Sequence, residues 1–126
     1  MTSEPVLAFG ARPAAALLAA MEANMAAHMA YLPGLLPGAR VVAGPDLVLV
    51  DAGVASDTFN TVCGARLDPT TANARIAAVI GHFRDRGVPF SWWVGPVSRP
   101  IDLGARLVAH GLAEAEAELG MALDLA

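Results

Sequence analysis

The alternation of hydrophobic periods along this chain predicts an α/β (α+β) domain with a central, mostly antiparallel mixed sheet flanked by helices. Three observations carry that expectation. Segments with helical spacing, near residues 13–32, 69–86 and 102–110, are interleaved with short runs rich in branched or aromatic residues, near 40–43, 47–50, 59–67, 90–94 and 119–125. Gly-Pro or Pro-Gly pairs punctuate several of the joins. The length, 126 residues, suits one domain, and 56% hydrophobic against 16% charged residues excludes a disordered tail.

The first helix is alanine-rich, opens on Pro13 and closes at Pro33-Gly34. Leu17 or Leu18, Met21, Met25, Met29 and Leu32 recur every three or four positions, which predicts one buried, adaptable face. Asn24, His28 and Tyr31 form a second stripe beside it. Residues 40–43, a Gly44-Pro45-Asp46 turn and Leu47 to Val50 read as two neighbouring strands. Residues 59–67 alternate, with Gly64 as a weak point, and complete an antiparallel meander.

Asp68 and Pro69 are the expected cap and first residue of the second helix. Its apolar face is Ile76, Val79, Ile80 and Phe83; Arg84, Arg86 and Gly87 mark its end. Residues 90–94 carry a large side chain on each face, as an interior strand does. A short helix over 102–110 buries Leu103, Leu107 and Val108 before Gly111, and alternating leucines at 119–125 predict a last strand.

Eight arginines, no lysine and twelve acidic residues give a net charge of −4, with no basic field for a nucleic-acid backbone. One cysteine, Cys63, permits no internal disulfide, and no Cys/His cluster has metal spacing. No uncharged stretch approaches the roughly 18 to 20 apolar residues of a membrane span, and the acidic flanks of 14–20 argue against a signal peptide. A soluble, cytoplasmic protein without nucleic-acid or membrane partners is expected.

The segment FSWWVGPVSRPIDLGARL at 90–107, the ending LGMALDL at 119–125, Phe59-Asn60 and the stretch ARLDP at 65–69 together resemble the N-terminal half of tandem GNAT-superfamily N-acetyltransferases. The resemblance runs from about Met21 to the end. It implies a GNAT-like acyltransferase fold as a single domain over 1–126, as one half of a two-domain protein or standing alone. In such proteins the second copy usually carries acetyl-CoA and the first is often degenerate. The implied partner is a second GNAT domain; the alternating leucines of the C-terminal strand separately predict self-association through an unpaired apolar edge.

An active GNAT turn between the third strand and the next helix is glycine-rich, so that backbone amides hold the coenzyme pyrophosphate. Here it reads LDPTTANAR over 67–75, with no glycine; Pro69 removes a donor and Asp68 can accept the N–H bonds a phosphate would use. The expectation is therefore a structural, substrate-shaping half that binds no acetyl-CoA. Two alternatives stay open. One is a free-standing acetyl-CoA-dependent N-acyltransferase using strand backbone over 62–66 and 93–95. The other is a small-ligand-binding or regulatory module built on the methionine-lined helix and Trp93.

Candidate substrate-binding residues are Asn24, His28, Tyr31, Asn60 and Trp93, each with a plainer reading as helix flank, turn or packing residue. Val62, Gly64, Thr70, Thr71 and Gly95 are the cofactor-binding positions if the domain is active. Arg99 reads as a solvated loop residue, His82 and His110 as helix C-terminal caps, Cys63 as a small buried hydrophobe, and Glu114, Glu116 and Glu118 as a solvated edge. No catalytic acid, base or metal ligand is identified.

Overall fold

A computed structural model describes residues 14–115. The element order is helix α1 (Ala14–Gly34), strands β1 (Arg40–Ala43), β2 (Val48–Asp51) and β3 (Thr61–Cys63), helix α2 (Ala72–Arg86), strand β4 (Ser91–Trp92) and helix α3 (Leu103–Ala109). The sheet runs β1-β2-β3-β4; the first two pairings are antiparallel and β3–β4 is parallel. This is an α+β domain with a mixed four-stranded sheet. The last expected strand, 119–125, lies outside the described residues, as do Glu116 and Glu118; Glu114 is exposed.

Strand alternation divides the interior in two. Leu47, Leu49 and Val62 pack with Ile76, Val79 and Phe83 of α2 and Leu103 and Leu107 of α3 into the main core. Phe83 is fully buried and stacks on Phe90 at a centroid distance of 4.4 Å. Removing one such side chain from water contributes about 2 to 3 kcal/mol. Trp92, opposite Val62 in the parallel pair, joins this side.

The other face of the sheet meets α1 through small side chains. Alanines 19, 23, 26, 27 and 30 border a groove opposite Val41, Ala43 and Val48. The expected methionine face is only half buried, Leu32 is 62% exposed, and the deeply placed side chain of this helix is Glu22. The alanines bordering the groove are themselves half buried or exposed, so neither stripe of α1 is a deeply packed face.

Three boundaries differ from expectation for local reasons. The third strand stops at Cys63 because Gly64 takes a left-handed φ of +65° that redirects the chain. The second helix starts at Ala72, with Thr71 at the N-cap, so Asp68 and Pro69 shape the preceding turn instead. Residues 90–94 contribute only two paired positions, and β4 closes its side of the sheet among the described residues. Gly87, at φ +67°, ends α2 as its position requires: its amide reaches the Phe83 and Arg84 carbonyls.

Candidate functional site

The parallel strands β3 and β4 pair at Thr61–Ser91 and Val62–Trp92 and then part. They meet again only where Arg66 and Arg99 bridge, tied by Arg99 N–H to the Ala65 carbonyl at 2.9 Å and Leu67 N–H to the Arg99 carbonyl at 2.9 Å. Between these ties lies an opening with Gly64 on one lip and residues 94–98 on the other. Gly64 causes it on one side, and Gly95-Pro96 turns the chain outward on the other.

Four backbone donors around this opening are already engaged. Trp93 N–H donates to the Val62 carbonyl at 2.8 Å and Arg66 N–H to the Asp46 carbonyl at 2.7 Å. Gly95 N–H donates to Ser98 Oγ at 2.9 Å. The Glu22 carboxylate reaches in from α1, accepting from Val97 N–H at 3.2 Å and from the Ser98 hydroxyl at 3.3 Å. Glu22 is 8% exposed. Its charge and the burial of the site push the neighbouring Cys63 thiol up to about 11, burial being the larger cause, so the sulfur stays protonated at neutral pH.

The turn before α2 satisfies the Thr70 and Thr71 amides from within, while the Thr71 side chain does not cap the first amides of the helix. Asp68 Oδ1 accepts the Thr70 amide at 2.8 Å and the Thr70 hydroxyl at 2.6 Å, and Thr71 N–H donates to the Asp68 carbonyl at 3.1 Å. The Thr70 hydroxyl, then its amide, hold the Asp68 carboxyl below its ordinary value. A shallow depression of about 610 Å³ lies beside this turn, bordered by Asp46, Arg66, Asp68, Thr71 and Arg75, with Arg75 Nε 2.8 Å from Asp46 Oδ2.

The candidate residues scatter. Gly64, Val62, Trp93 and Gly95 surround the opening, whereas Thr70 and Thr71 belong to the turn. Asn24, His28 and Tyr31 share an exposed side of α1, and none of them borders the alanine groove. Asn60 is wholly buried: its Oδ1 accepts Ala52 N–H at 2.8 Å, and its Nδ2 donates to the Val54 and Pro89 carbonyls at 2.8 and 2.9 Å. Both amide hydrogens are thus committed to backbone. Trp93 is half buried and donates Nε1–H to Ser91 Oγ at 3.2 Å.

His82 does not cap its helix: Nε2 lies 2.9 Å from Asp51 Oδ2, which Arg86 Nε also meets. Burial pushes the Asp51 carboxyl up, but the Gly53 amide, the His82 hydrogen bond and the Arg86 charge together hold it below its ordinary value. His110 does serve as a cap, with Nδ1 2.8 Å from the Arg106 carbonyl. Arg99 braces its own loop through the Pro96 and Ser98 carbonyls.

Sequence reasoning passed over Glu22, Arg66 and Ser98. A signal for the first was present: Glu22 is the one acidic residue in the twenty-one-residue α1 and has no lysine or arginine beside it on that helix. No group of three His, Cys, Asp or Glu able to hold a metal ion occurs among the described residues, and no helix among them is long and apolar enough to cross a membrane. Comparisons with protein-family models, curated proteins and solved structures return no match for this chain.

Proposed function

We propose that this chain is a GNAT-like N-acetyltransferase domain without its own acetyl-CoA site, serving as the structural and substrate-shaping half of an acetyltransferase. The observation that carries the reading is the engagement of Thr70 N–H by Asp68, at the turn where a coenzyme pyrophosphate would need bare amides. The parallel β3–β4 pair that opens at Gly64 supports the GNAT-like assignment. Glu22 weighs against the alternative that strand backbone alone holds the coenzyme, because it occupies the Val97 amide at the far lip. A carboxylate facing a pyrophosphate adds repulsion to the loss of donors, each charged hydrogen bond being worth about 1.5 to 3 kcal/mol.

The acyl donor then belongs to a second GNAT domain or a partner chain, joined in this reading through residues 119–125, whose alternating leucines suit strand addition. A buried, protonated Cys63 is at home in a reducing cytoplasm, the compartment assigned here. Isothermal titration calorimetry with acetyl-CoA tests the proposal. No saturable heat at micromolar concentrations is the expected result, and a one-to-one micromolar isotherm would reject it.

A further inference from the structure

We propose that the groove between α1 and the sheet binds a zwitterionic α-amino acid with an apolar side chain, its ammonium group held by Glu22 and its carboxylate by Arg66. The groove is a half-open cleft of about 380 Å³, and Glu22, Gly64 and Arg66 interrupt its otherwise alanine- and valine-lined wall. Two opposite charges therefore border one apolar cleft.

Neither charge is neutralised by the other or by any side chain among the described residues. Among the described residues no cation lies within ion-pair distance of Glu22, which is 8% exposed and has two hydrogen bonds to them, at 3.2 and 3.3 Å. A carboxylate offers about four acceptor sites, and a buried charge without a counter-ion is costly, so a bound ammonium would relieve an existing penalty. The Arg66 guanidinium makes no hydrogen bond to a described residue, while its backbone is pinned by the Asp46 carbonyl and the bridge to Arg99. A guanidinium on anchored backbone is suited to grip a planar carboxylate through two parallel N–H bonds.

The match is to charge and shape together. A simple amine satisfies Glu22 alone, a fatty acid Arg66 alone, and a charged side chain would face the alanine methyls. The inference is independent of the acetyltransferase reading, since it concerns the α1 side of the sheet and not the turn at Asp68.

Calorimetric titration of the whole chain with L-leucine, isoamylamine and 4-methylpentanoate separates these cases. Leucine is expected to bind at least about tenfold more tightly than either one-charge probe. Glu22→Gln should weaken leucine about tenfold or more and leave 4-methylpentanoate unchanged. Arg66→Gln should weaken leucine similarly and leave isoamylamine unchanged, and Arg84→Gln, exposed on α2 and outside the groove, should alter nothing. Equal affinity for leucine and isoamylamine, no saturable heat with leucine, or leucine binding indifferent to both substitutions overturns the proposal. If Glu22→Gln fails to fold, the three probes on the native chain and the exposed Arg66→Gln variant decide. Acetyl-CoA binding alongside leucine binding would remove the proposed degenerate coenzyme site and leave this one standing.

Discussion

The Glu22 carboxylate rests against the α-carbon of Gly95, so closely that a β-carbon there would overlap it. Gly95 has no left-handed φ and its own backbone would accept alanine, so the obstacle is Glu22 alone. Gly95→Ala should therefore drive the carboxylate aside and break its bonds to Val97 and Ser98, lowering stability by about 1 to 2 kcal/mol. Denaturant unfolding checks this, and in a Glu22→Ala background the cost of Gly95→Ala should largely vanish.

Asn60 joins three segments: the turn after β2, the start of β3 and the link between α2 and β4. Asn60→Ala strands one amide and two carbonyls, and a loss of about 3 kcal/mol is expected. Thermal unfolding by circular dichroism measures it. A melting temperature equal to that of the native chain would show that water replaces the amide at no cost.

Asp51 gives the molecule an acid-sensitive tie. Its carboxyl is lowered from the ordinary 3.8 in the fold, and it returns towards that value when unfolding removes Gly53, His82 and Arg86. The unfolded chain then holds more protons, so the contribution is complete above the unfolded value and fades as pH falls through the lowered folded one. Asp51→Asn should flatten the acid limb of a stability-against-pH curve. At pH 7 it should cost about 3 kcal/mol, because the Arg86 guanidinium loses its buried counter-ion.

Asp68 occupies an amide that an anion could use. Asp68→Gly removes that carboxylate and its repulsion, so affinity for inorganic pyrophosphate should rise about tenfold or more over the native chain. Phosphorus NMR line broadening reads the change. Unaltered pyrophosphate affinity would mean that Asp68 does not guard the turn.

Much of the architecture was legible because local chemistry and tertiary placement agree. Ile76, Val79 and Phe83 lie on one face of α2 with Gly87 beyond its end, and Leu103 and Leu107 fall four residues apart in α3. The first helix was legible in extent but not in packing: its methionines are only half buried, and an open groove lined by alanines separates part of it from the sheet. Gly64 flagged a weak point in β3, although nothing local says that the strand ends there. The site eluded the sequence because its two lips lie far apart in the chain. Glu22 meets Ser98 across 76 positions, and only the parting of β3 and β4 makes a carboxylate welcome there.

Cys63 is the chain's single thiol, wholly enclosed and protonated at neutral pH. Alkylating reagents need the thiolate and a path to it, and the folded molecule supplies neither. Each labelled molecule must first have opened its sheet, so the alkylation rate serves as a built-in gauge of how often that opening occurs.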